Sequence, residues 1–76
     1  MAVTIYTTPS CGYCNMAKDY FRKNHVQFTE YNVAQDREKA DEMVRKSGQM
    51  GVPVIDVNSK IIVGFNQPAI EKALKQ

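Results

Sequence analysis

Several things are scarce in this chain. Its 76 residues include two cysteines, one histidine, three prolines and four glycines. One cysteine pair is half of a structural zinc site, and there is no second pair to complete it. The formal net charge is +2, with both signs interspersed. That balance gives no footing for nucleic acid or a membrane surface as a partner. No apolar run approaches the ~20 residues needed to span a bilayer. Internal repeats, linkers and low-complexity tracts are missing as well. The opening residues, Met-Ala-Val-Thr-Ile-Tyr, lack a basic region and a long apolar run, so no signal peptide is read there. The expected setting is the reducing cytoplasm, where paired cysteines are catalytic or metal-binding rather than structural staples. So short a chain makes one domain, residues 1–76, with a modest core and no room for a lid or a second domain.

Both cysteines fall in Thr8-Pro9-Ser10-Cys11-Gly12-Tyr13-Cys14. Before this stretch runs Val3–Thr7, rich in β-branched and aromatic residues and expected as a strand. After it, Ala17, Tyr20 and Phe21 repeat at i, i+3, i+4, the spacing of a helix from about residue 12 to Asn24. Ser10 is expected to cap it, with Cys11 at the first helical position. The cysteines therefore stand where a strand gives way to a helix N-terminus. Unpaired N–H groups and about half a positive charge favour a thiolate there. Cys11 is read as a nucleophile and Cys14 as the thiol that resolves its mixed disulfide.

Val26, Phe28, Tyr31 and Val33 point to a second strand over 26–32, joined to the first by a right-handed crossover in a parallel pair. A second helix opens at Gln35-Asp36, carries the stripe Ala40, Met43, Val44, and stops at Gly48. Val54–Val57 and Ile61–Val63 read as strands of a hairpin joined by Asn58-Ser59-Lys60. Asn66 can cap a last helix with Ile70, Ala73 and Leu74 on its buried side. The sum is an α/β chain of order βαβαββα: four strands, with three helices covering both faces of a mixed sheet.

This order resembles a minimal thioredoxin fold. Thr7-x-x-x-Cys11-x-Tyr13-Cys14, Gly51-Val52-Pro53 before the third strand and Val63-Gly64-Phe65 after the fourth resemble the glutaredoxin family and its glutaredoxin-like redoxins. The resemblance implies a thiol–disulfide oxidoreductase that reduces protein disulfides as a monomer. It implies a cis peptide bond before Pro53, with Pro53 lying against the active-site disulfide, and substrate contacts from Tyr13, Val52, Pro53, Gly64, Phe65 and Asn66. Where glutathione-using members carry Pro, a cation, Thr and an acidic pair, this chain has Gly12, Thr8, Gly51 and the uncharged Asn66-Gln67. Gly-Phe and Pro68 are more similar to redoxins that serve ribonucleotide reductase and draw electrons from thioredoxin reductase. Thioredoxin reductase is therefore the expected donor and glutathione the other reductant to test. Arg37 or Gln49 would have to supply the missing glutathione contacts.

No metal or organic cofactor is expected. The competing reading is a metal-binding module, or a cluster site shared between two copies through glutathione. His25 lies eleven residues beyond Cys14, roughly 16 Å along a continuous helix, too far to be a ligand or base. Lys18 is expected as a solvated helix lysine, with added positive potential at the cysteines as the other reading. Asp56 is expected on a solvated face, with proton transfer at Cys14 as its other reading. Met43 and Met50 are assigned to core and loop packing.

Overall fold

The computed structural model describes residues 2–75. The chain runs β1 (Val3–Thr7), α1 (Gly12–Lys23), β2 (Thr29–Asn32), α2 (Arg37–Ser47), β3 (Val54–Val57), β4 (Lys60–Val63) and α3 (Gln67–Leu74). The expected order βαβαββα is present. The sheet order is β2-β1-β3-β4, with β1 parallel to β2 and antiparallel to β3, and β3 antiparallel to β4.

Alternation along the strands divides the apolar residues between two layers. Val3 and Ile5 of β1, Ile55 and Val57 of β3, and Ile62 of β4 face Ala17 and Phe21 of α1 and Ile70 and Ala73 of α3. Tyr6 and Val54 face the other way and meet Met43 of α2. Both faces are thus covered, by α1 and α3 on one side and α2 on the other. The α2 stripe is narrower than its spacing implied: Met43 is buried, whereas Val44 is 37% exposed.

Several boundaries differ from expectation for identifiable reasons. The first helix begins at Gly12, and its N-cap is Cys11, not Ser10. It ends at Lys23, with Asn24 as its C-cap. His25 follows in the left-handed region (φ 57°), and the Val26 N–H closes on the Phe21 carbonyl at 2.8 Å. Val26 and Phe28 still pack on the core, but outside any strand, so β2 starts at Thr29 rather than residue 26. The hairpin turn is two residues, Asn58 and Ser59, both at positive φ, and Lys60 belongs to β4. Positive φ at both central residues is the twist-matched form of a two-residue hairpin. Asp36 and Asn66 cap α2 and α3 through side-chain bonds to the N–H groups of Lys39 and Ala69. Gly48 ends α2 in the left-handed region that glycine favours.

Candidate active site

Sheet register gathers the candidate residues at one end. β1 leads through Thr7 into the cysteine loop. Tyr6 pairs with Val54, so Pro53 stands at the C-terminal end of β1. Val54 pairs with Val63, so Gly64 emerges at the same end, and its N–H donates to the Pro53 carbonyl at 2.8 Å. The Val52–Pro53 peptide is cis, and the proline ring is fully buried.

Cys11 and Cys14 are joined as a disulfide, with their Cα atoms 5.2 Å apart. Their environments differ. Cys11 is half-buried in an extended conformation, and its Sγ accepts the backbone N–H of Cys14 at 3.1 Å. Cys14, inside the first turn, is 1% exposed. The cysteine that caps the helix is therefore the less buried of the two. A side-chain acceptor at this position satisfies one of the helix's free N–H groups and meets the positive end of its dipole. Both effects strengthen when the acceptor carries negative charge. The arrangement favours a thiolate at Cys11 over one at Cys14, whose burial disfavours charge.

The remaining candidates are placed as follows. Tyr13 projects outward, 64% exposed. With Gly12 and Met16 it lines an open concavity of about 360 Å³ beside the cysteines. Val52 is half-buried, and among the described residues neither its N–H nor its C=O has a hydrogen-bond partner. Phe65 turns its ring onto Tyr20 of α1, centroids 6.0 Å apart, and joins the α1/α3 core. Asn66 spends its side-chain oxygen on the α3 cap. A second groove, about 460 Å³, runs between α1 and α3 with Met16, Tyr20, Phe65 and Glu71 among its walls.

Two expectations are corrected. Lys18 is not a solvated helix lysine. Its side chain is 17% exposed and bonds Glu30 of β2 at 2.9 Å, and the same carboxylate oxygen accepts the hydroxyl of buried Thr7 at 2.7 Å. Lys18 first, and then the Thr7 hydroxyl, hold the Glu30 carboxyl below the usual carboxylate range. Asp56 is not on a solvated face either. It is 14% exposed and paired with Lys46 at 2.9 Å, and Asp56 raises the lysine above its ordinary value. Asp56 alternates with Ile55 and Val57, so it lies on the α2 side of the sheet, opposite the cysteines. That placement removes it from proton transfer at Cys14. Met43 is core and Met50 is an 80% exposed loop residue.

Sequence reasoning missed the Thr7–Glu30–Lys18 cluster, because the partners meet only through the parallel β1–β2 register, in which Ile5 stands opposite Glu30. It also missed what Gln49 does. The carboxamide of Gln49 accepts the Gly51 N–H at 2.6 Å and donates to the Gly51 carbonyl at 3.1 Å.

Comparison with known proteins agrees with this geometry. The family model described as Glutaredoxin matches residues 3–62. A glutaredoxin-like 8.6 kDa protein from the rubredoxin operon of Clostridium pasteurianum is 40% identical over 74 residues, covering 97% of this chain and 99% of that protein. Glutaredoxin 3 of Escherichia coli K12 is 36% identical over 62 residues, covering 82% of this chain and 75% of its own. Among solved structures, the glutaredoxin-like protein NrdH-redoxin of Escherichia coli superposes with a TM-score of 0.85 at 28% identity, over 95% of this chain and 93% of that one. With its paired cysteines at the strand-to-helix turn of a thioredoxin-like sheet, the chain belongs to the glutaredoxin family of thiol–disulfide redox proteins.

Proposed function

We propose that the chain is a dithiol oxidoreductase of the cytoplasm that reduces protein disulfides. The observation that carries the reading is the asymmetry of the two cysteines: a half-buried Cys11 whose Sγ caps the helix at 3.1 Å, and a Cys14 that is 1% exposed. The reduced Cys11 thiolate attacks one sulfur of the substrate disulfide. That S–S bond breaks, the other substrate sulfur leaves as a thiolate, and a mixed disulfide forms on Cys11. Cys14 then gives up its proton and attacks Cys11 Sγ, expelling the second substrate thiol. Two electrons pass to the substrate, and the chain is left with the Cys11–Cys14 disulfide. An ordinary cysteine is only a few per cent thiolate at neutral pH, so a cap that favours the anion raises the reactive fraction. A low-pKa thiol is also the better leaving group in the second step.

The donor belongs to the same proposal. A glutathione site needs cations for two carboxylates and an acid for the ammonium. Thr8 offers no cation. The oxygen of Asn66 is turned to the Ala69 N–H, and the amide of Gln67 lies 3.4 Å from Glu71. The Gln49 carboxamide is engaged with Ser47 and Gly51. We therefore assign thioredoxin reductase, or another flavin reductase, as the preferred donor, with ribonucleotide reductase as the candidate acceptor. Two charge-assisted contacts at about 1.5–3 kcal/mol, replaced by neutral ones near ~1, weaken glutathione by roughly tenfold or more.

Trapping is the direct test. Cys14→Ser should accumulate a stable mixed disulfide on Cys11, and Cys11→Ser should be inactive. Rapid alkylation of Cys14 rather than Cys11 at pH 6 would reverse the assignment. With one protein disulfide as substrate, kcat/KM should be higher with thioredoxin reductase than with millimolar glutathione and its reductase. The metal-binding alternative keeps a separate readout. Among the described residues no group of three or more His, Cys, Asp or Glu side chains is placed to hold a metal ion. Stoichiometric zinc or iron in protein purified without chelator would favour that alternative.

A further inference from the structure

Gln49, Gly51 and Val52 form a small device that the redox chemistry does not itself require. One planar carboxamide reaches both the N–H and the C=O of Gly51, at 2.6 and 3.1 Å. A residue presents both groups to the same side only when its backbone is extended, as in the paired residues of an antiparallel ladder. Val52 precedes a proline and is held extended by the clash with the proline ring. Successive extended residues point their peptide groups to opposite edges. The Gln49 clasp therefore occupies one edge of this short segment and leaves the other edge, the N–H and C=O of Val52, open. Those are the groups with no partner among the described residues.

The clasp is anchored at both ends. The hydroxyl of Ser47, in the last turn of α2, lies within bonding distance of two carbonyls, Met43 at 2.7 Å and Gln49 at 3.0 Å, which share its one proton, and its Oγ accepts from Gln49 Nε2 at 3.3 Å. Beyond Val52, the Pro53 carbonyl is held by Gly64. Gly51 also has a steric role. A Cβ built there would stand 2.8 Å from Gln49 Oε1, so a side chain at 51 requires the Gln49 carboxamide to move from its place in the clasp.

We infer that Gln49 is a positioning residue for polypeptide substrates: its carboxamide holds Gly51 extended so that the main-chain edge of Val52 is presented, preformed, to an extended segment carrying the target disulfide. The inference rests on the proposed disulfide reductase reading and names its substrate class. An extended strand added to a free edge is held by main-chain hydrogen bonds, and holding that edge rigid lowers the ordering cost of binding.

The test compares two substrates, each against its own parent rate: a disulfide within an extended peptide, which offers a main chain to pair with Val52, and the small aryl disulfide dithiobis(2-nitrobenzoate), which offers none. Gln49→Ala should raise KM for the peptide about threefold to tenfold, the range of an ordering cost near one rotamer-rich segment. Its kcat, and its kcat/KM on the aryl disulfide, should stay at the parent value. Gly51→Ala should give the same split, because the methyl displaces Gln49 Oε1. The double variant should be no worse than either single one. Gln49→Glu, which keeps the acceptor and loses the donor, should fall between and guards against an unfolded alanine variant. Equal losses on both substrates would overturn the inference, as would an unchanged KM. A fall in KM would also overturn it, and would show the carboxamide competing with substrate. If the parent protein reduces neither disulfide, the reductase reading fails first and takes this inference with it.

Discussion

Glu30 shows how one side chain can carry information that no local pattern contains. Its carboxylate joins Lys18 of α1 and Thr7 of β1. Because its carboxyl is held lower in the folded chain than in the unfolded one, the folded state resists protonation. The stabilisation is present above the ordinary carboxylate value of about 4.3 and is lost as pH falls through the depressed folded value. The Glu30 side chain is 35% exposed, so solvent weakens the pair. Glu30→Gln is expected to cost about 1 kcal/mol at pH 7 by urea denaturation, and the gap from the parent should narrow progressively as the pH falls below about 4.3. Tyr6 gives the opposite sign on the other face. Burial first, then its bond to Glu42, raises the phenol above its ordinary value. It stabilises the fold at neutral pH, and that contribution is lost in strong base as pH rises through the raised value. The redox residues were legible because Cys11 and Cys14 are the chain's only cysteines and stand at a change of periodicity. The partners of Lys18, Asp56 and Gln49 were not, because each depends on a register or loop closure that the spacing does not encode.

At the scale of the element, the helices were legible and the strand limits less so. Apolar spacing reports which side chains are buried, not which peptide groups join a ladder. Val26 and Phe28 are packed on the core without belonging to a strand, so the burial signal overran β2 by three residues. Caps depend on geometry as much as on residue type. Ser10 is the stronger capping residue by preference, yet Cys11 Sγ takes the position. This has a measurable consequence. Under reducing conditions, Cys11→Ala should lower the unfolding free energy more than Cys11→Ser, by about 1 kcal/mol, because serine keeps an acceptor for the Cys14 N–H. A matching control is Asp36→Ala, which removes the bond to the Lys39 N–H of α2 and should cost about 1 kcal/mol without changing disulfide reduction.

For the whole molecule, the layer count followed from the alternation of Val, Ile and Tyr along the strands, which needs apolar cover on both faces. The topology did not follow from periodicity alone. It came from the resemblance to a known family, and the register confirms it. A domain of this size has a stability of only about 5–15 kcal/mol, so it has little reserve against core damage. Phe21 is fully buried among Tyr20, Phe28 and the β1/β3 face. Phe21→Ala is expected to cost about 3–5 kcal/mol, a large part of the total, and to appear as a sharply lowered urea midpoint.

The hydrogen bond from the Cys14 amide to Cys11 Sγ turns one backbone proton into a reporter of redox state. In the proposed cycle its acceptor is a neutral sulfur in the disulfide, gains charge on reduction, and becomes neutral again when a substrate is attached. The Cys14 amide resonance should therefore move downfield and exchange more slowly with solvent deuterium in the reduced chain than in the oxidised one. Trapping a mixed disulfide on the Cys14→Ser variant should return residue 14 toward the oxidised signal. One nitrogen-15 label would then follow turnover without an added chromophore, and would do so one hydrogen bond away from the sulfur that reacts.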